Sequence, residues 1–185
     1  SVSDEFSLIV TNVNEAPTVA VPLADQQATE DASFSFVAPA GTFADVDPSD
    51  SLTYSATLAD GSPLPTWLSF DTTTRTFSGP PLNSDVGALN IAVTATDLGG
   101  LSATDTFALT VQNVNDAPTL ANPIVDQAAS TGAAFAFTVP ADTFADLDPG
   151  DSLSYSATLA NGSALPTWLS FNSATRTFSG TPADG

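Results

Sequence analysis

Cysteine, histidine, methionine and lysine are all missing from this chain of 185 residues. Without cysteine there are no disulfides and no thiol nucleophile, and without histidine there is no imidazole base and almost no transition-metal ligand. A Ser-His-Asp or Cys-His catalytic set is therefore excluded, and no glycine-rich phosphate loop replaces it. Positive charge is nearly absent as well. Arg75 and Arg176 stand against 21 acidic residues, for a net charge of -19, which repels nucleic acid and anionic membrane surfaces and makes cations the natural partners. No apolar run approaches the roughly 18 residues of a membrane span, so direct membrane insertion is not expected. The chain has no initiator methionine and no signal peptide, and reads as an internal fragment of something larger.

What is present is not the composition of a disordered acidic tail. Hydrophobic residues make up 42% of the chain and 12 are phenylalanine, enough to bury a core in one or two domains. Trp67 and Trp168, Pro17 and Pro118, Tyr54 and Tyr155, and Gly79 and Gly180 all lie 101 positions apart. Laying 14–84 over 115–185 without a gap gives 45 identities in 71 positions, so the two segments share a fold. Residues 1–13 match the end of such a unit, since SDEFSLIVTNVN parallels TDTFALTVQNVN. The expected organisation is thus 1–13 as the last strand of a preceding repeat, 14–114 as a complete repeat, and 115–185 as a partial one.

Inside a repeat the signals are short strands between turns. Ala32–Val37 and Leu52–Leu58 alternate with period two. Asp60-Gly61 and Asn161-Gly162 mark turns, and Trp67–Phe70 with Arg75–Ser78 flank the polar DTTT as a hairpin. Leu89–Thr96 and Thr104–Val111 are the strongest strands, joined at Leu98-Gly99-Gly100. No segment has a helical period. Fourteen prolines and about seven strands per ~100 residues predict an all-β sandwich.

One acidic loop occurs twice, as FADVDPSDSL with Asp45, Asp47 and Asp50, and as FADLDPGDSL with Asp146, Asp148 and Asp151. Pro48 or Pro149 is expected to fix the backbone between the carboxylates. Crowded oxygen ligands suit calcium better than zinc or copper. Two carboxylates about 4 Å apart repel by roughly 4 kcal/mol at an effective dielectric near 20, so such a group is strained without a cation. The alternative is a solvated turn, for which Asp, Pro, Ser and Gly are ordinary residues; Asp50 and Asp151 in particular could cap the turn before the next strand.

The junction NVNDAP (Asn113–Pro118), the paired aspartates thirty residues later, LPTWLSFDTTTRTFSG (Leu64–Gly79) and VTATDLGG (Val93–Gly100) together resemble cadherin-like repeats of the dystroglycan type. These overlap the bacterial "putative immunoglobulin" repeats of large adhesins and secreted proteins. The resemblance spans essentially the whole chain. It implies tandem seven-stranded Greek-key β-sandwiches, the last truncated, with calcium at the joints. Carried over by position, the first joint would use Asn12, Asn14 and Glu15 with Asp45, Asp47 and Asp97. The second would use Asn113, Asn115 and Asp116 with Asp146 and Asp148. Glu30, Asp50, Asp85 and Asp151 are weaker candidates. A cadherin linker carries an aspartate where this chain has Thr11 and Gln112, which implies one or two ions per joint and affinity in the range of about 0.1 to 1 mM.

The function expected is a non-catalytic, calcium-binding module of a bacterial surface or secreted protein, acting in adhesion or as a stiffened spacer. Its partners would be neighbouring repeats, other copies of itself or surface glycans. The alternative is an accessory carbohydrate-binding or spacer module of a secreted polysaccharide-degrading enzyme. There Trp67 and Trp168 would be sugar platforms rather than core residues. Arg75 and Arg176 are expected in a local salt bridge or at a solvated hairpin position. Asn161-Gly162-Ser163 is a formal glycosylation sequon, but its counterpart begins with Asp60, and it reads as a turn.

Overall fold

The computed structural model describes residues 1–47, 50–148 and 150–183. Pro48 and Pro149 lie outside the described residues. The chain forms two compact units, Ser1–Val114 and Asn115–Gly185, both built from β-structure.

Unit 1 contains β1 (Thr18–Val19), β2 (Gln26–Thr29), β3 (Phe34–Val37), β4 (Phe43–Ala44), β5 (Thr53–Leu58), β6 (Ser69–Asp71), β7 (Thr76–Gly79), β8 (Gly87–Thr96) and β9 (Ser102–Gln112). A four-stranded sheet in the order β2-β9-β8-β5 faces a three-stranded sheet in the order β3-β7-β6, and β1 pairs with β4. The two main sheets together hold seven strands, and β2 runs parallel to β9 while the other ladders are antiparallel.

Period-two patterning explains which residues meet between the sheets. From β8 and β9 come Ile91, Val93, Ala95, Phe107, Leu109 and Val111, all buried. The opposing sheet contributes a phenylalanine row in which Phe36 and Phe70 both pair in register with Phe77. Phe77 is 0% exposed, its ring centred 4.5 Å from Phe70 and 5.6 Å from Phe107. Trp67 precedes β6 in a turn closed by Leu68 N donating to Pro65 O (3.0 Å). The strand therefore starts two residues later than the alternation of WLSF predicts. The indole packs on the core edge-on to Phe34 (6.4 Å) with its Nε1 enclosed, the placement of a core residue rather than of a sugar platform.

Arg75 takes the hairpin position rather than the salt bridge, and is half-buried there rather than solvated. It forms no ion pair among the described residues: its Nε donates to Ala38 O (3.3 Å) and its guanidinium lies 5.4 Å from the Tyr54 ring centre. Arg176 repeats both contacts with Val139 O and Tyr155. Tyr54 belongs to one sheet and Arg75 abuts β7 of the other, so the side chain clips the sandwich edge. Arg75 also sits at φ 58, a conformation that costs a side-chain-bearing residue about 1–2 kcal/mol. Arg75→Ala keeps that strain and loses the clip, for an expected cost of about 1–2 kcal/mol in urea unfolding. Arg75→Gly relieves the strain, and its midpoint should lie between those of Arg75→Ala and the parent; a midpoint below that of Arg75→Ala contradicts this account.

The hairpin turn just before Arg75 gives a pH signature. Asp71 Oδ1 accepts from Thr73 N (2.8 Å) and Thr74 N (2.9 Å), and these donors, Thr74 first, hold the carboxyl below the ordinary aspartate range. Its counterpart Asn172 makes the same bonds without a charge, at 3.0 and 3.1 Å. A depressed folded-state pKa means stability that is present above the unfolded value of about 3.9 and is lost as pH falls through the folded one. Asp71→Asn should therefore be less stable than the parent at neutral pH, with the difference closing below about pH 4. Acid titrations of the two urea midpoints that stay parallel would refute it.

Unit 2 contains β10 (Thr119–Leu120), β11 (Phe135–Thr138), β12 (Phe144–Ala145), β13 (Leu169–Asn172) and β14 (Thr177–Gly180). β10 pairs with β12, and β11-β14-β13 reproduces the three-stranded sheet. Residues 127–130 and 154–159, equivalent to β2 and β5, carry no ladder. The core stays open: Val139 is its one buried apolar residue among those described, and Phe178, equivalent to Phe77, is only half-buried. Residues 1–13 likewise form no strand. Phe6, Leu8 and Val10 match Phe107, Leu109 and Val111 of β9 but are exposed.

Candidate metal centre

At the entry end of unit 1, the loop after β4 meets the turn between β8 and β9. Asp45, Asp47 and Asp50 each bring a carboxylate oxygen to within 4.8 Å of the others. Asp47 is buried, 7% exposed, and organises the group. Its Oδ1 accepts from Asn12 Nδ2, its Oδ2 from Glu15 N (2.8 Å), and its own N–H donates to Asp45 Oδ1 (2.9 Å). The Asn12 amide and the Glu15 N–H hold the Asp47 carboxyl below the ordinary aspartate range. Asp50 goes the other way. Desolvation, then the charges of Asp45, Asp97 and Asp47, push its carboxyl up, against a bond from the Leu98 backbone. Glu15 is also raised, by desolvation and by Asp47 and Asp45.

Asp97 lies in the turn after β8, buried at 6% exposure. Its Oδ1 accepts from Leu101 N (2.9 Å) and its Oδ2 from Asn14 Nδ2 (3.0 Å). Gly99 leaves room for the same approach, since a Cβ there would stand 2.6 Å from the Asn14 amide and the side chain would have to shift. The structure thus gathers Asn12, Asn14, Glu15, Asp45, Asp47, Asp50 and Asp97 at one end of the unit. Asp50, read from sequence as the weaker candidate, is within the cluster.

A test of fit comes from the oxygens left over. Among the described residues Asp45 Oδ2 and Asp50 Oδ2 are enclosed and have no hydrogen-bond partner, although enclosed carboxylate oxygens ordinarily find one. All donors are oxygens or amides, a set that suits a hard cation. Both Asn12 and Asn14 turn amide nitrogens toward carboxylates, standing where positive charge would otherwise be. No signal in the sequence marks the Leu98 backbone bond.

Unit 2 repeats the loop. Asp146, Asp148 and Asp151 also converge within 4.8 Å, Asp148 accepts from Asp116 N (2.6 Å), and Asp148 N donates to Asp146 Oδ1 (3.1 Å). Asn115 Nδ2 turns to the Asp116 carbonyl (3.0 Å). Asn113 and Val114 close unit 1. The remaining candidates stand at the exit end of unit 1, away from the Asp45 cluster by about the ~35 Å length of an eleven-residue strand. Glu30 is 1% exposed, with Oε1 accepting from Val114 N (2.5 Å) and Oε2 enclosed without a partner. Asp85 ends the 3-10 turn Asn83–Asp85 and accepts from Leu82 N (2.9 Å).

The family model described as Putative Ig domain matches residues 16–112 and 117–185. No curated protein matches the chain. Among solved structures, mouse cadherin-23 EC22-24 aligns with a TM-score of 0.56 at 20% identity, covering 94% of this chain and 56% of its own. Protocadherin gamma B7 extracellular cadherin domains 1-4 align with a TM-score of 0.56 at 20% identity, covering 90% of this chain and 41% of that one. An endo-fucoidan hydrolase of glycoside hydrolase family 107 aligns at 0.46 and 23% identity, covering 91% of this chain and 24% of the hydrolase. The chain thus spans less than two thirds of each of these. The cadherin alignments agree with the sheet order in showing a cadherin-like and Ig-like sandwich. Among the described residues no helix is long and apolar enough to cross a membrane.

Proposed function

The chain belongs to the Putative Ig domain family, and on that footing we propose that its repeats are extracellular, non-catalytic modules that bind calcium where the linker enters each sandwich. The observation that carries the reading is the pair of enclosed, partnerless oxygens on Asp45 and Asp50 beside the buried carboxylate of Asp47. Calcium would be held by Asp45, Asp47 and Asp50, with Asp97, Glu15 and the side-chain oxygens of Asn12 and Asn14 completing the shell once their amides turn over. Asp146, Asp148, Asp151 and Asp116 would form the corresponding site in unit 2, with Asn115 beside it, while Asn113, Glu30 and Asp85 are weaker candidates within unit 1.

Such an ion ties residues 12–15 to the loop after β4 and to the turn after β8. The consequence is a fixed angle at which the linker enters the sandwich, so repeats in series form a stiffened spacer that presents an adhesive or catalytic domain at a distance. Partners would be neighbouring repeats, further copies or surface glycans, at the cell surface or secreted. The carbohydrate-module alternative is not favoured, since the Trp67 indole faces the core.

Equilibrium calcium titration of the intact chain by calorimetry tests the reading. Saturable binding in the range of about 0.1 to 1 mM, abolished at the first site by Asp45→Asn with Asp47→Asn, supports it. Absence of heat and of any calcium-induced change in the amide spectrum would leave the loops as solvated turns.

A further inference from the structure

Arg75 and Arg176 are the chain's only basic side chains, and both stand where a side chain is costly. Their φ angles of 58 and 55 lie in the left-handed region, which glycine adopts without strain and arginine does not. Strain kept at matching positions of two repeats points to work for the side chain. Part of that work is the clip described above, made by Nε and by the face of the guanidinium. The two terminal nitrogens of Arg75 are left over. Among the described residues neither has a hydrogen-bond or ion-pair partner. Asp71, the nearest acid in the sequence, is turned instead to Thr73 N and Thr74 N.

Arg75 lines a groove of about 360 Å³ together with Leu52, Thr53, Tyr54, Thr72 and Thr73. One wall is the start of β5, the edge strand of the four-stranded sheet, and the other is the hairpin between β6 and β7 of the opposing sheet. Thr53, Thr72 and Thr73 are exposed. Thr53 Oγ1 donates to Thr96 O (3.1 Å) and keeps its lone pairs as acceptors. In the second repeat Ser154 stands for Thr53 and Ser173 for Thr72, so both hydroxyls are kept, while Ala174 replaces Thr73. The first copy is the better furnished.

We propose that this groove binds a carboxylate-bearing sugar, a uronate residue of a surface polysaccharide, with Arg75 as its anchor. A guanidinium with its terminal nitrogens free pairs with a planar carboxylate through two parallel N–H···O bonds, and the threonine hydroxyls match the ring hydroxyls of a pyranose. The net charge of -19 decides among anions. A phosphate monoester carries nearly two charges into that field, a uronate only one. The Tyr54 ring is already engaged by Phe43 (6.2 Å between centres) and by the guanidinium, so recognition is polar and needs no stacking platform. This gives the surface-glycan partner of the preceding reading a chemical class; it rests on that reading for the partner alone and does not need the ion.

The test titrates the intact, isotopically labelled chain with trigalacturonate, in chelator and at physiological ionic strength. Chelator keeps calcium out of the outcome, and the salt screens the chain's own field. Amide signals of residues 52–54 and 72–75 and the Arg75 Nε signal should shift saturably, with affinity about tenfold above that for the neutral galactose trisaccharide. Arg75→Gln should abolish the shifts, and Arg75→Lys, which keeps the charge without the fork, should weaken them. Thr72→Glu leaves the clip intact and sets one of the chain's own carboxylates at the groove, so it should block binding with the urea midpoint unchanged. Equal affinity for the neutral sugar, tighter binding of a sulfated trisaccharide, shifts that persist in Arg75→Gln or Thr72→Glu, or no shift at all would each overturn the proposal. A calcium titration of the same sample reads the metal site separately, so the two failures are distinguishable.

Discussion

Thermal unfolding of unit 1 in about 5 mM calcium should occur roughly 5–15 °C above its midpoint in chelator, and the double variant Asp45→Asn with Asp47→Asn should lose this rise. The size follows from linkage: a site with a dissociation constant of about 0.1 to 1 mM contributes about 1–2 kcal/mol at that concentration. The variant removes two carboxylates from the cluster. At position 47 it also substitutes a group that cannot accept from both Asn12 and Glu15 while presenting oxygen to a cation. In chelator the variant isolates the cost of those lost bonds, so the calcium-dependent part is read as the difference between the two conditions. A midpoint that is identical with and without calcium sinks the proposed site.

The second large effect falls on glycine 79. Its Cα approaches the carbonyl of Trp67 so closely that an added Cβ would stand 1.7 Å from that oxygen, and its φ is 153. The obstruction is backbone, held by the turn from Pro65 to Leu68 and by the ladder between β6 and β7, so it cannot swing aside as a side-chain tip could. Gly79→Ala should cost about 3 kcal/mol, at the upper end of overpacked sites, and lower the midpoint of unit 1 by roughly 10–20 °C. Gly41→Ala is the matched control. Nothing lies within 4 Å of a Cβ there and its φ is not positive, so its effect should stay within about 0.5 kcal/mol. If the two substitutions cost the same, the close approach at Gly79 is not what that glycine is for.

Much of this fold is legible in the sequence wherever a strand has one dry face. Gly87–Thr96 and Ser102–Gln112 extend the predicted runs by only one or two residues at an end, because alternation continues as far as there is core to cover. β2 was not predicted. Its QQAT has no apolar alternation, and it is a strand only because its backbone finds β9. The same logic in reverse applies to residues 154–159, whose SYSATL pattern matches β5 but which carry no ladder. Alternation records which face can be buried; a neighbouring strand decides whether it is. For the acidic loop, spacing brought Asp45, Asp47 and Asp50 to notice together, while the place of Asp50 in the cluster needed the fold. Only the approach of the β8–β9 turn, with Leu98 and Asp97, shows that Asp50 faces inward instead of capping its own turn. The positions of Arg75 and Arg176 escaped the sequence reading because a carbonyl and an aromatic face leave no charge pattern to read.

The parallel pairing of β2 with β9 bears on how the repeat meets a pull. β2 lies near the start of unit 1 and β9 near its end, aligned from Gln26 opposite Leu109 to Thr29 opposite Gln112. Tension applied along the chain draws the start of β2 and the finish of β9 in opposite directions along one common axis. The bonds between them are then loaded together, in shear, whereas an antiparallel pair pulled from one end parts bond by bond like a zip. Glu30 N extends the same seam by bonding to Gln112 O (3.1 Å). A surface protein assembled from such units would yield to traction one whole sandwich at a time, with the seam between its first and last long-range partners as the breaking point of each.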